Sequence, residues 1–197
     1  MLYFKYACLH DFGFSKMFVL KIKNLARDGD QNMPFTVEPR YMKQSISLVL
    51  SSGGARGVAH IGVIEELERQ GFEIKSIAGA SIGAVVGGIY ASGNLNVFRD
   101  WICTLDKVAV FNLMDFTLST NGLLKGNKVI WKLKKMIPDI NIEDLSIPFT
   151  AVATDVKGRK EVVFEKGDLF EAIRASISMP TFLTPVPLPS KSSMSGL

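Results

Sequence analysis

Ser76–Ala91 reads SIAGASIGAVVGGIYA, and this stretch decides the fold. Ser76 to Ala78 is an apolar run that predicts a short buried strand, and Ile82 to Ala91 is a small-residue segment that predicts a helix. The uncharged apolar part is about 15 residues long, whereas a membrane-spanning helix needs about 20. A buried strand, a tight turn and a helix are therefore predicted here.

The turn carries the pattern Gly79-x-Ser81-x-Gly83. A serine on a sharp strand-to-helix turn projects its hydroxyl beyond the edge of the sheet. Glycines two residues before and after let the backbone fold this tightly, and the helix N-terminus favours a developing oxyanion. A Gly-rich turn with an incidental serine is the competing interpretation. Ser81 is the candidate nucleophile, and Gly79 and Gly83 form its elbow.

A second glycine-rich loop precedes this turn. It follows the predicted strand Ile46–Leu50 and opens the predicted helix Val58–Gln70. Backbone N–H groups at a helix N-terminus bind anions. A phosphate or dinucleotide loop is disfavoured because the loop has neither Gly-Lys-Ser/Thr nor the G-x-G-x-x-G spacing. An oxyanion hole is predicted at Gly53, Gly54, Ala55, Arg56 and Gly57.

The alternation of strands and helices indicates an α/β protein. The prediction is a three-layer α/β/α fold with a mostly parallel central sheet, incomplete at the C-terminus. Further helices are predicted at Leu95–Lys107, Asn127–Ile137 and Asp168–Ser176, and further strands at Phe149–Ala153 and Glu161–Phe164.

Composition limits the remaining functions. The chain of 197 residues has 47% hydrophobic residues, 21% charged residues and a formal charge of +4. Apart from Lys132, Lys134 and Lys135, the positive charge is scattered, which argues against a nucleic acid partner. The two cysteines form no CxxC pair, so a zinc site is disfavoured. Cys103 is predicted to be buried.

Three segments are predicted. Residues 1–44 form an N-terminal appendage, residues 45–186 a partial hydrolase domain, and residues 187–197 a divergent polar tail. Residues 1–25 lack the pattern of a signal peptide. The predicted location is cytoplasmic or peripheral to a membrane.

The histidines exclude one common catalytic arrangement. An α/β-hydrolase triad follows the order serine, acid, histidine, whereas His10 and His60 both precede Ser81. His60 is predicted to brace a loop or pack on a helix. A dyad of Ser81 with a carboxylate remains.

These features together resemble the patatin-like phospholipase family from about Ser45 to Val186. Its G-G-x-R-G loop corresponds to Gly53–Gly57, and its G-x-S-x-G motif to Gly79–Gly83. Residues 153–155 and 161–164 are similar to its later strand pair, and residues 173–186 to the segment before its catalytic aspartate.

The resemblance implies a serine lipid acyl hydrolase with a Ser–Asp dyad and no metal or cofactor. Its substrate would be a phospholipid or another acyl ester, with peripheral contact at a membrane surface. Ser81 would be the nucleophile, the N–H groups of Gly53, Gly54 and Ala55 the oxyanion donors, and Arg56 a brace for the loop. Ser52 stands where the family often has glycine, and a left-handed backbone would be costly there.

The family's aspartate, in an Asp-Gly turn after the Pro185-Val186 segment, has no counterpart here. The last carboxylate is Glu171, and Asp155 matches a different family segment, so it is only a weak candidate. This chain is therefore expected to be nearly inactive.

Two alternatives stay open. In one, the aspartate comes from another chain. In the other, the protein is a non-catalytic lipid-surface module, with Asn127–Ile137 as a basic amphipathic helix. A surface helix docked on the core is the preferred interpretation of that segment.

Overall fold

The computed structural model describes residues 44–113, 116–119, 122–124, 126–178, 181–184 and 186. The strands are β1 (Ser45–Leu50), β2 (Glu73–Ala80), β3 (Phe116–Ser119), β4 (Gly122–Leu124), β5 (Phe149–Asp155), β6 (Lys160–Phe164) and β7 (Thr181–Leu183). The helices are α1 (Ala59–Arg69), α2 (Ile82–Ala91), α3 (Leu95–Cys103), α4 (Lys107–Leu113), α5 (Asn127–Met136) and α6 (Leu169–Ser176). Short 3₁₀ helices span Gly54–Val58 and Ile142–Asp144.

The main sheet has the order β1-β2-β5-β6. β1 and β5 both pair with β2 in parallel, and β6 is antiparallel to β5. Leu50 lies opposite Gly79, and Ala80 lies opposite Val152, so β1, β2 and β5 have their carboxyl ends at one edge of the sheet. The predicted α/β class and the mostly parallel sheet are confirmed.

Helix α2 forms the centre of the core. Its residues from Gly83 to Ile89 are all buried, and it contacts β1, β2 and β5. Glycines permit this close approach, since a Cβ at Gly87 would lie 2.8 Å from the Ile77 side chain, and one at Gly88 would lie 2.9 Å from that of Leu169. A helix this apolar on all sides is typical of a buried core element.

The two faces of the main sheet differ. Ile74, Ile77, Phe149 and Ala151 on one face are buried beneath the helices. On the other face Val49 is 78% exposed, and the Ser76 hydroxyl donates to that of Ser47. Because β1, β2 and β5 follow each other in one direction across the sheet, their right-handed crossovers place α1 and α2 on the same face.

The predicted helix over Leu95–Lys107 is interrupted. Helix α3 ends at Cys103, where the Thr104 hydroxyl donates to the Trp101 carbonyl. Asp106 then accepts a hydrogen bond from the Ala109 N–H and caps α4. The prediction that Cys103 is buried was wrong, because it is exposed at this break.

A second sheet, absent from the sequence-based prediction, has the order β3-β4-β7. β3 and β4 are antiparallel, and β4 is parallel to β7. Its strands have three or four residues, so they are too short for an alternating pattern to stand out. Among the described residues, no helix is long and apolar enough to cross a bilayer.

Candidate active site

Ser81 occupies the turn between β2 and α2 in an unusual backbone conformation. Its φ is 55° and its ψ is −122°, a region that L-residues rarely adopt and that costs about 1–3 kcal/mol. The Ser81 carbonyl accepts the N–H groups of Ala84 and Val85 at 2.9 and 3.1 Å. The turn therefore enters the helix directly at the serine, as the G-x-S-x-G spacing predicts.

A second serine holds the Ser81 backbone from the other side. The Ser81 N–H donates to Ser176 Oγ at 2.8 Å, and Ser176 Oγ donates to the Val152 carbonyl at 2.6 Å. Ser176 is the last residue of α6, and it connects the turn to the middle of β5. No role for Ser176 was predicted from the sequence, since its partners are 95 and 24 residues away along the chain.

Three glycines make the turn geometrically feasible. A Cβ at Gly79 would overlap the Gly83 carbonyl, and a Cβ at Gly83 would overlap the Leu50 carbonyl. A Cβ at Gly57 would overlap the Ile82 side chain. The elbow therefore packs in backbone contact with the end of β1, and the Ile82 side chain after Ser81 packs directly on Gly57 of the loop.

The Gly53–Gly57 loop leads into the 3₁₀ helix of Gly54–Val58. Gly54 has a φ of +52°, which glycine adopts at little cost. The Arg56 N–H closes the turn by donating to the Gly53 carbonyl at 3.1 Å. The N–H groups of Gly53, Gly54 and Ala55 donate no hydrogen bond within the described part of the chain. These are the three donors that the resemblance implies.

The loop is braced by His60 rather than by the Arg56 side chain. His60 Nε2 lies 2.9 Å from the Ser51 carbonyl, which agrees with the predicted bracing role. The Arg56 side chain is exposed and has no hydrogen bond or ion pair within residues 44–113 or the other described segments. Ser52 is not among the described residues with positive φ, so its side chain brings no backbone strain to the loop.

No described carboxylate serves Ser81 as a base. The Ser81 hydroxyl has no hydrogen-bond partner among the described residues. The weak candidate, Asp155, instead accepts the Gly158 N–H at 2.9 Å in the β5–β6 turn. Residues 187–197 and Met179, Pro180 and Pro185 lie outside the described residues.

Arg174 fixes the segment next to the site and was also missed by the sequence analysis. It is only 7% exposed. Its guanidinium donates to Ser178 Oγ at 2.6 Å and to the Thr184 carbonyl at 3.0 Å, and it approaches Asn127 Oδ1 at 3.4 Å. A buried arginine with several acceptors holds backbone segments at fixed positions, here α5, α6 and the chain after α6.

The described segments contain no group of three or more His, Cys, Asp or Glu residues arranged to hold a metal ion. The expectation of a metal-free reaction stays a prediction. The candidate site thus consists of a serine hydroxyl at the strained turn and a loop with available N–H groups packed against the same turn.

This sequence is similar to known proteins over most of its length. A family model described as "Patatin-like phospholipase" matches residues 48–196. The match therefore includes most of the segment 187–197 that the sequence analysis set apart.

Relatives of known name agree with the family match. An uncharacterised NTE family protein of Mycobacterium tuberculosis is 45% identical over 140 residues, which cover 71% of this chain and 39% of the relative. Patatin-like phospholipase domain-containing protein 6 of Homo sapiens is 30% identical over 178 residues, covering 87% of this chain and 13% of the relative. Neuropathy target esterase sws of Drosophila persimilis is 32% identical over 147 residues, which cover 72% of this chain and 10% of the relative.

The chain spans about two fifths of the length of the mycobacterial relative and a smaller share of the animal relatives. The family match nevertheless includes the Gly53–Gly57 loop, the Ser81 turn and helix α2. Since the family model matches about three quarters of the sequence, this chain belongs to the patatin-like phospholipase family.

Proposed function

We propose that this chain supplies the nucleophile and oxyanion loop of a serine hydrolase that cleaves acyl esters of lipids. The observation that carries the proposal is the Ser81 turn, with φ of 55°, packed against a loop whose first N–H groups make no hydrogen bond in the described chain. Family membership supports the substrate class, since the relatives carry the names phospholipase and esterase.

In the proposed reaction, Ser81 Oγ attacks the carbonyl carbon of the ester and loses its proton to an aspartate carboxylate. The carbonyl oxygen becomes an oxyanion that accepts hydrogen bonds from Gly53, Gly54 and Ala55. The tetrahedral intermediate collapses, the alcohol leaves with the proton, and water then hydrolyses the acyl-serine by the reverse sequence. Loss of one oxyanion donor costs about 100- to 1,000-fold in rate.

The aspartate of the dyad is the component that residues 172–197 do not provide, because they contain no Asp or Glu. Absence of a triad-type base or nucleophile lowers the rate by about 10⁴- to 10⁶-fold. We therefore expect residues 1–197 alone to hydrolyse esters very slowly. A chain that also contains a segment with the catalytic aspartate should hydrolyse them faster by about this factor.

The test compares two polypeptides with a fluorescent acyl ester and a fluorophosphonate probe. One is residues 1–197. The other joins residues 1–186 to the part of the mycobacterial relative that lies C-terminal to its counterpart of Val186. The joined chain should hydrolyse the ester and be labelled at Ser81, and Ser81→Ala should abolish both signals. Ser92→Ala is the matched control, because the Ser92 hydroxyl bonds to Ile89 at the far end of α2.

Hydrolysis by the joined chain that survives Ser81→Ala would contradict the assignment of the nucleophile. Ser81-dependent turnover by residues 1–197 alone would contradict the need for a further aspartate. Lipid binding without any labelling of the joined chain would favour the second candidate, a non-catalytic lipid-surface module. The exposed Trp131 on basic helix α5 is the observation that keeps that candidate open.

A further inference from the structure

Helix α5 is docked on the core and is amphipathic as well. Leu133 is 0% exposed and faces the core, whereas Trp131 is 59% exposed. The helix sequence NKVIWKLKKM contains four lysines and no acidic residue. The predicted docking of this helix on the core is therefore confirmed for the face that carries Leu133. The opposite face carries an exposed tryptophan and lysines, which docking on the core does not explain.

The outward face forms a ridge of Lys128, Trp131 and Lys135. Residues three and four positions apart lie next to each other on a helix, so both lysines flank the tryptophan. Lys135 Nζ lies 3.7 Å from the centre of the Trp131 ring, within the range of a cation–π contact. Helical periodicity places this ridge opposite Leu133, with Lys132 at its side.

Two lysines of α5 lack a carboxylate partner in the described part of the chain. Neither Lys132 nor Lys135 forms an ion pair with a carboxylate of the described residues. Lys134 differs, because it pairs with Asp139 at 3.0 Å and with Asp168 at 3.3 Å. Lys128 donates to the Asn112 carbonyl at the end of α4, the helix on which Val108 is 65% exposed. An exposed apolar side chain thus occurs on each of the two helices that this hydrogen bond joins.

An anionic lipid surface fits this chemistry better than other partners. A tryptophan between lysines matches the interface between headgroups and acyl chains, where the ring is partly buried and the ammonium groups meet phosphates. Single-stranded nucleic acid would require several aromatic platforms along a groove, whereas the ridge has one.

The ridge also belongs to an element next to the candidate active site. Asn127, the first residue of α5, faces the Arg174 guanidinium at 3.4 Å. Arg174 is two residues before Ser176, whose hydroxyl accepts the Ser81 N–H. A helix that binds the bilayer would therefore hold the nucleophile turn at a fixed position relative to the lipid.

We infer that Lys128, Trp131, Lys132 and Lys135 on α5 form the surface through which this protein binds an anionic phospholipid bilayer. The inference rests on the proposed lipid ester hydrolase function for the choice of a lipid partner. Binding itself needs no catalysis, so its test can be read in the Ser81→Ala protein as well.

The experiment measures sedimentation of residues 1–197 with vesicles of phosphatidylcholine alone and of phosphatidylcholine with phosphatidylglycerol. Binding should require the anionic lipid and should weaken as salt rises, because the Debye length falls to about 3 Å at 1 M. Lys132→Gln and Lys135→Gln should each weaken binding about fivefold, because a basic residue near an anionic surface contributes about 1 kcal/mol to binding. Trp131→Ala should weaken binding further.

Fluorescence gives a second measurement. The chain has two tryptophans, and Trp101→Phe leaves Trp131 as the only one. Its emission should shift to the blue with anionic vesicles and should be quenched by brominated acyl chains. Lys157→Gln with Lys166→Gln is the matched control, since both lysines are exposed and lie outside α5, and this pair should leave binding unchanged.

Several results would overturn the inference. One is an absence of binding to anionic vesicles. Another is a loss of binding in the Lys157/Lys166 control pair equal to that in the Lys132 and Lys135 variants. A third is a Trp131 emission spectrum that does not change when vesicles are added. Binding to a single-stranded oligonucleotide without binding to vesicles would also overturn it. Hydrolysis of a water-soluble ester by the joined chain with no vesicle binding would leave the proposed function intact and reject this surface.

Discussion

Ser81 is held in its backbone conformation by four neighbours: the start of α2, Ser176, Gly79 and Gly83. Its carbonyl is engaged by the start of α2, and its N–H by Ser176. Gly79 and Gly83 remove the Cβ atoms that would block the turn. A strained φ/ψ pair at a single residue persists only when the surroundings over-determine it. At the residue scale, the site therefore depends on small neighbours and on one distant hydroxyl.

Ser176→Ala should loosen the Ser81 turn. The change removes the acceptor of the Ser81 N–H, so amide hydrogen exchange at Ser81 should accelerate by about fivefold, since a lost hydrogen bond is worth about 1 kcal/mol. Two-dimensional NMR of the exchanging amides measures this effect. Ser92→Ala removes another part-buried hydroxyl bond and should leave Ser81 exchange unchanged. Equal exchange at Ser81 in both variants would contradict the role of Ser176.

Gly57→Ala should destabilise the protein because the added Cβ would overlap Ile82. Overpacking of this kind costs about 1–3 kcal/mol in the free energy of unfolding, which urea denaturation measures. Gly62→Ala is the matched control, since a Cβ there has nothing within 4 Å and alanine is the better helix former by about 1 kcal/mol. Gly62→Ala should therefore be neutral or stabilising.

The clash between an alanine Cβ at residue 57 and the Ile82 side chain can also be tested from the side of residue 82. In an Ile82→Ala background, Gly57→Ala should cost less than in the original chain, because the overlapping side chain is gone. A penalty that does not depend on residue 82 would show that the clash is not its cause.

At the scale of elements, the site is held in place by contacts between helices as well as by the sheet. The Tyr90 hydroxyl on α2 donates to Glu68 on α1 at 2.7 Å. Arg174 likewise joins α6 to α5 through Asn127. The helix that begins at Ser81 is therefore tied to a neighbour at its far end, which keeps its N-terminus aligned with the Gly53–Gly57 loop.

Tyr90→Phe should destabilise the protein at neutral pH by about 1 kcal/mol, the net contribution of one hydrogen bond. Burial, and then the hydrogen bond to Glu68, raise the pKa of Tyr90 above its ordinary range. A raised pKa favours the protonated phenol in the folded state. The contribution is thus fully present below about pH 10, where the unfolded phenol titrates, and is lost as the pH rises towards the folded pKa.

Urea denaturation of both proteins between pH 7 and pH 11 measures this difference in stability. The gap between the original chain and Tyr90→Phe should be constant up to about pH 10, the ordinary pKa of tyrosine, and should narrow above it. A gap that widens with rising pH would contradict the sign of the linkage.

For the whole molecule, the sheet order sets where stability is greatest. β2 is paired on both sides, by β1 and β5, whereas β6 has one partner among the described strands. We expect the amides of Ile77–Ala80 and Ala151–Ala153 to exchange only through global unfolding, and those of Lys160–Phe164 to exchange faster through local opening. Native-state hydrogen exchange measures this, and equal protection in β2 and β6 would contradict it.

Local patterns predicted much of the fold. The helix predicted at Ile82–Ala91 has those bounds in the structure, because its small-residue pattern is continuous and the turns on both sides are marked by glycine. The strand predicted at Ser76–Ala78 extends from Glu73 to Ala80, because Lys75 on the less covered face interrupts the apolar run without ending the strand. The interruption at Thr104–Asp106 was missed because its capping bonds depend on side-chain geometry rather than on periodicity.

The sequence by itself determined the family, the parallel α/β core and the position of the candidate nucleophile, because these follow from residue types at short spacing. Only the tertiary structure decided that Ser176 holds the Ser81 N–H, that His60 braces the loop, and that Trp131 faces outward while Leu133 faces the core. The physical reason is distance along the chain. A hydrogen bond between residues nine or 95 positions apart, or a helix face covered by another element, leaves no periodic pattern in the sequence, so it appears only when the chain is folded.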